Sequence, residues 1–160
     1  MKGKVKVKTA VILSDTHGNF SAIEKILPIM QESDFVIHLG DFQRDIFAYE
    51  KELGKKIISV KGNCDGGGED RILEIEKVKI LITHGNKYSV KSNMLNLIYV
   101  AKEKGVNAVF YGHTHVSDTF KQDGILFVNP GCMSGFYEKT YCYAVFHDGK
   151  VTTKNVEVRD

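Results

Sequence analysis

Residues 9–14 (TAVILS), followed at once by Asp15-Thr-His17-Gly-Asn19, are the stretch that decides the architecture. A continuous apolar run that stops abruptly at a polar loop reads as a strand covered on both faces. The following chain repeats that grammar. Residues 35–39 (FVIHL), 57–60 (IISV) and 108–111 (AVFY) are further short apolar runs, each ending at glycine or a turn. Between the first two, Ser21-Ala-Ile-Glu24 fits a capping box, and Ile23, Ile26, Leu27 and Met30 recur at helical spacing. Pro28 falls inside that pattern and predicts a kink or an early end. Residues 45–53 predict a short helix closed by Gly54.

Residues 71–76 and 78–83 read as strands paired around a Glu-Lys turn. Ser92 is the expected cap of a helix carrying Met94, Leu95, Ile98 and Ala101 on one face and ending at Gly105. From Thr119 onward the chain reads as strands and turns, with Asp123-Gly124 and Asp148-Gly149 as hairpin signals. Alternating strands and helices followed by a run of strands predict two packed sheets with helices outside, an α/β fold. No repeat, low-complexity tract or linker interrupts the chain, so residues 1–160 read as one domain.

Composition narrows the function. The 160 residues are 42% hydrophobic and 26% charged, as in ordinary globular proteins. Basic and acidic side chains nearly balance, 22 against 20, for a net charge of +2, which argues against a general nucleic-acid binder. The one local surplus is Lys2, Lys4, Lys6 and Lys8, read as a solvated N-terminal strand or arm. Three cysteines without a CxxC spacing argue against a disulfide framework and for a reducing, cytoplasmic setting. The first apolar run is too short for a signal-peptide core, and no stretch approaches the roughly 20 apolar residues of a membrane span.

The polar residues carry the chemistry. Five predicted strands each deliver metal-ligand types beside a glycine or turn: Asp15 and His17, then Asp41, Asn63, His84, and finally His113 and His115. In open α/β sheets the C-terminal strand edge is where ligands bind. Any one fragment is a common loop signal, and their joint order is what points to a metal centre. Two carboxylates, four imidazoles and one carboxamide, with no thiolate, suit a catalytic site for Mn, Fe, Co, Ni or Zn rather than a Cys-rich structural zinc. Seven ligands are too many for one ion that keeps an open position. They suit two ions sharing a carboxylate, about 3.5–4 Å apart, with a bridging water of lowered pKa. Two dications, two aspartates and a hydroxide leave a net positive charge, which fits an anionic phosphate.

The motifs S-D-T-H-G-N, L-G-D, K-G-N-C-D, T-H-G and G-H-T-H, running from Ser14 to His115, resemble those of the calcineurin-like metallophosphoesterase superfamily. Asn129-Pro130-Gly131 resembles its later N-P-G turn, and the compactness resembles the small YfcE-type phosphodiesterases of bacteria and archaea. The resemblance implies two mixed β-sheets packed face to face and flanked by helices. It implies a first metal on Asp15, His17 and His115, a second on Asn63, His84 and His113, and Asp41 bridging, with Mn preferred. It further implies in-line attack on phosphorus by the bridging hydroxide, with Asp41, Asn63 and His84 as the catalytic group. Gly18 and Asn19 would place backbone donors near phosphate.

One position departs from the pattern. Many family members read G-N-H-[DE], and here the histidine position is Cys64. A thiol is a poorer cation and a weaker donor than imidazolium. Lower intrinsic activity, or a bias toward good leaving groups, is therefore expected. Small members resembling this chain often share the cysteine. His38 and His147 read as structural, Cys132 and Cys142 as small core residues, and Gly66-Gly67-Gly68 as a mobile lip.

The expected activity is hydrolysis of a small phosphodiester. A phosphomonoesterase or nucleotidase is the nearest alternative, because the metals alone do not set specificity. A non-catalytic scaffold is a different class, with a retromer subunit of this fold as precedent; its histidine pattern is degraded, whereas every position is filled here. A nuclease fits less well, given the charge balance. The expected partner is a small phosphate ester, with self-association left open.

Overall fold

A computed structural model describes residues 6–135 and 138–159. Lys2 and Lys4 of the N-terminal lysine run lie outside them. Fourteen named elements order the chain: β1 (Lys8–Leu13), α1 (Phe20–Glu32), β2 (Phe35–His38), α2 (Arg44–Phe47), α3 (Glu50–Leu53), β3 (Ile57–Ser59), β4 (Arg71–Ile75), β5 (Val78–Ile82), α4 (Leu95–Lys104), β6 (Ala108–Phe110), β7 (Asp118–Gln122), β8 (Ile125–Asn129), β9 (Thr140–His147) and β10 (Lys150–Glu157).

The strands form two five-stranded sheets, β10-β9-β1-β2-β3 and β4-β5-β6-β8-β7. Both are mixed. β1, β2 and β3 are parallel, as are β5, β6 and β8, while β9, β10, β4 and β7 run antiparallel to their neighbours. The two-sheet α/β architecture read from the sequence is the one found.

Strand pleating explains the continuous apolar runs. Along β1, Ala10 and Ile12 point between the sheets, where they meet Ile80, Ile82, Phe110 and Phe146. Val11 and Leu13 point the opposite way, onto Ile23, Ile26 and Met30 of α1. In the second sheet Leu81 and Val109 face outward onto Leu97 and Ala101 of α4. Each central strand is thus buried on both faces, and each fully buried Ile or Leu contributes roughly 1.5–3 kcal/mol.

Several local details differ from the sequence reading. The N-cap of α1 is Asn19, whose side chain accepts from Ala22 N at 3.2 Å, so Ser21 lies inside the helix and forms no capping box. α1 runs four residues past Pro28, because burial of Ile23, Ile26 and Met30 outweighs the one lost backbone bond. Residues 45–53 divide into α2 and α3. Ser92 does not cap α4. That helix starts after Met94, and Asn93 Oδ1 accepts Leu95 N at 3.0 Å. Gly54 and Gly105 close their helices with left-handed φ, and Asp123-Gly124 and Asp148-Gly149 form the expected hairpin turns.

Candidate metal centre

The parallel strands aim five loops at one edge. Asp15 and His17 follow β1, Asp41 follows β2, Asn63 follows β3, His84 follows β5, and His113 and His115 follow β6. The first sheet contributes four of these residues and the second three, so the candidate site straddles the sandwich. Backbone bonds stitch the loops: Asp15 N donates to Gly40 O at 3.0 Å, and Gly112 N to His84 O at 2.9 Å.

Close backbone approach needs glycine here. A Cβ on Gly40 (φ 101°) would lie 2.5 Å from Gly62 N, and one on Gly62 would lie 2.5 Å from Asp41 N and overlap the Asp41 carboxylate. Ligand residues themselves adopt left-handed backbones, with φ 54° at Asp15, 43° at His17, 61° at Asp41, 71° at His113 and 66° at His115. Such conformations cost roughly 1–2 kcal/mol each for non-glycine residues. They turn the side chains inward.

The ligand atoms gather in two overlapping sets. Those of Asp15, His17, Asp41 and His115 all lie within 4.8 Å of one another, and so do those of Asp41, His84 and His113. Asp41 belongs to both. His84 Nε2 is 3.4 Å from Asp41 Oδ2 and 3.9 Å from Asp15 Oδ1. His115 Nε2 is 3.1 Å, and His17 Nε2 3.9 Å, from the same Asp15 oxygen. Asn63 opens the turn beside Asp41; its neighbour Cys64 donates its backbone N–H to Asp41 Oδ1 at 2.9 Å, and its own amide lies 3.8 Å from Cys64 Sγ.

Hydrogen bonding around these atoms tests whether a cation fits. His84 Nδ1 lies 2.8 Å from Leu39 O, a carbonyl that can only accept, so that nitrogen carries the proton. Nε2, at the other side of the ring, faces Asp41 Oδ2 and lies 3.2 Å from His113 Nδ1. Asp15 Oδ1 and His17 Nε2 are buried and have no hydrogen-bond partner. Acceptors facing acceptors in a dry pocket are costly without a cation between them. The donor set fits divalent metal.

Protonation follows the same geometry. Burial pushes the Asp15 carboxyl up, but the His115 imidazole, the His84 charge and the Ser14 hydroxyl outweigh it and hold it below the usual range. His115 is raised, chiefly by its contact with Asp15. His113 is lowered by burial and by the charges of His84 and Lys91. Cys64 is exposed, and partial desolvation and the Asp41 carboxylate push its thiol up, which keeps it S–H.

Sequence reasoning missed the groups behind the ligands. His38 is fully buried; Nδ1 accepts Gly40 N at 3.0 Å, so Nε2 donates to Thr16 Oγ1 at 3.0 Å. Thr16 Oγ1 in turn donates to Asp45 Oδ2 at 2.7 Å, which also accepts Gly18 N at 2.7 Å. Gly18 N is therefore committed to Asp45 rather than free for phosphate. Asn19 N likewise donates to Thr16 O at 2.9 Å, and its side-chain Nδ2 donates to Met133 O at 2.7 Å. Burial lowers the His38 pKa to about 4, against the pull of Asp15, Asp65 and Asp45. His147 is remote from the site, donating to Lys6 O. Cys132 and Cys142 are buried and free. Gly66, Gly67 and Gly68 follow the Asn63 turn, and Gly67 N donates back to Gly62 O at 3.0 Å.

Clustered imidazoles and carboxylates at the strand ends of a double sheet define a metallohydrolase type of centre. A model of the calcineurin-like phosphoesterase superfamily domain matches residues 9–150, and the chain belongs to that family. It is 34% identical over 125 residues to the probable metallophosphoesterase YsnB of Bacillus subtilis, covering 76% of this chain and 72% of that one. It is 26% identical over 148 residues to the phosphodiesterase YfcE of Escherichia coli K12, covering 76% of this chain and 77% of that one. Vacuolar protein sorting 29 of Cryptosporidium parvum superposes with a TM-score of 0.76 over 96% of this chain and 99% of that one. At 17% identity that likeness speaks for the fold alone. Among the described residues no helix is long and apolar enough to cross a membrane.

Proposed function

We propose that this chain hydrolyses small phosphodiesters with two divalent cations, Mn preferred. They would be held by Asp15, His17 and His115 on one side, by Asn63, His84 and His113 on the other, and by Asp41 between. The observation that carries the reading is the double membership of Asp41 in two ligand sets, the first of which holds two buried atoms, Asp15 Oδ1 and His17 Nε2, without hydrogen-bond partners. Bound cations supply Lewis acidity there, lowering the pKa of water and offsetting phosphate charge.

The chain's own residues do the rest. Asp15 and Asp41 set the charge of the centre: two carboxylates against two dications leave a positive surplus that suits a phosphate anion. His84, tied by Nδ1 to Leu39 O, keeps Nε2 pointed at the centre and cannot swing away. Asn63 lies at the exposed lip, where its amide can donate to a phosphate oxygen as charge develops. The Cys64 thiol stands beside it, a weak donor toward the leaving oxygen, which favours esters with good leaving groups. Free buried cysteines suit work in a reducing compartment such as the cytoplasm.

The test uses protein stripped with a chelator and reloaded with Mn2+, assayed on bis(p-nitrophenyl) phosphate and p-nitrophenyl phosphate. Faster metal-dependent turnover of the diester is expected. Preference for the monoester would make the chain a phosphomonoesterase, and wild-type protein that binds no metal and turns over neither substrate would favour a scaffold.

A further inference from the structure

One half-buried carboxylate beside the centre belongs to neither ligand set yet organises both loops next to it. Asp65 Oδ2 accepts Asp41 N at 2.8 Å and Gly62 N at 2.9 Å, while Oδ1 accepts Phe42 N at 2.8 Å and Gln43 N at 3.3 Å. Four main-chain donors from two loops thus converge on one side chain. Asp41 and Phe42 are both left-handed, with φ 61° and 62°. Successive N–H groups in such a turn form a concave nest that attracts an anion. Here the chain fills the nest with its own carboxylate.

The clip closes in both directions. Asp65 holds the Asp41 backbone, and the N–H of Cys64, one residue before Asp65, holds the Asp41 side chain through Oδ1 at 2.9 Å. Asn63 lies between those anchors. Asp45 plays the matching part under the first loop, where its Oδ2 accepts from Thr16 Oγ1 and Gly18 N.

We propose that Asp65 is a positioning residue for the second cation: by tying residues 41–43 to residues 62–65 it sets Asp41 and Asn63 at the spacing that a metal pair requires. This rests on the two-cation reading above. Asn at position 65 keeps the shape but offers one acceptor oxygen, and its NH2 group faces two N–H donors. Asp65→Asn should fold, as judged by circular dichroism, and keep one tight Mn2+ by calorimetric titration. The other should weaken about 10–100-fold, the usual range for groups that orient metal ligands. At two equivalents of Mn2+ the wild type should give the electron paramagnetic resonance signal of a coupled pair, and the variant a six-line mononuclear spectrum. Saturating Mn2+ should restore most of the kcat with an unchanged KM. If Asp65→Asn does not fold, Asp65→Glu, which keeps both oxygens on a longer arm, carries the same comparison. Two unchanged Mn2+ constants beside a lowered melting temperature would overturn the positioning role. A wild type that binds fewer than two Mn2+ would instead overturn the two-cation reading itself, a distinguishable result.

Discussion

Left-handed backbone occurs at both ends of the sandwich, but it is held there by different means. At the end away from the site, Glu76-Lys77, Asp123-Gly124 and Asp148-Gly149 sit in tight hairpin turns. Strand pairing on either side fixes those turns through local ladders, and two of them are tied together by Gly149 N donating to Glu76 O at 2.7 Å and by the exposed Lys77–Asp148 pair. At the ligand end, Asp15, His17, Asp41, Phe42, His113 and His115 adopt the same conformations in loops of different strands. Long-range bonds join these loops: Asp15 N donates to Gly40 O, Gly18 N to Asp45, Asp41 N and Phe42 N to Asp65, and His113 N to Asp15 Oδ2. The strain is of similar size per residue, so the difference lies in what maintains it. Turns can be replaced singly; the ligand end works as a set.

The largest predicted contrast is between two aspartates with left-handed φ. Asp41→Asn removes the shared negative charge, and Mn-dependent hydrolysis should fall to background, whereas Asp148→Asn should leave activity unchanged. Retention of activity in Asp41→Asn would remove that residue from the centre. Cys64→His restores the imidazole that many relatives carry. Turnover of an alkyl phosphodiester should rise, by up to about 10²-fold if a general acid is regained. No rise would mean that the missing acid is not limiting.

Two glycines sharpen the comparison. Gly62→Ala forces a Cβ against Asp41, which should cost about 1–3 kcal/mol in thermal unfolding and weaken Mn2+ binding as well. Gly149→Ala meets no atom within 4 Å, so it should cost only the left-handed strain, about 1 kcal/mol, with metal binding intact. Equal effects on metal binding would erase the distinction between the ends.

The last effect concerns pH. His38 has a folded pKa of about 4, below its ordinary 6.5. Below pH 6.5 the unfolded chain takes up a proton that the folded chain refuses, so this stability is present above 6.5 and lost as pH falls toward 4. The loss is on the order of 3 kcal/mol. His38→Gln should flatten the decline in melting temperature over that window; an unchanged slope would place the acid sensitivity elsewhere.

Much of this was legible in the sequence because the relevant signals are local. The runs at residues 9–14 and 35–39 announce doubly covered strands, and a ligand type directly after each run announces a shared edge. What was not legible is tertiary. Asp65 looked like the tail of K-G-N-C-D and Asp45 like the start of a helix, since nothing local says that four amides will close on one or that Thr16 will donate to the other. Helix starts differ for the same reason: Asn19 caps α1 in place of Ser21, and α4 starts after Met94 rather than Ser92, because where each loop arrives, not propensity, selects the start. Gly18, suggested as a phosphate donor, is already bonded to Asp45.

The most direct test is anomalous scattering from crystals of the wild-type protein soaked in Mn2+. Two peaks are predicted, one among Asp15, His17 and His115 and one among Asn63, His84 and His113, with Asp41 touching both. A single peak, or a second one lying away from His84 and His113, would contradict the account.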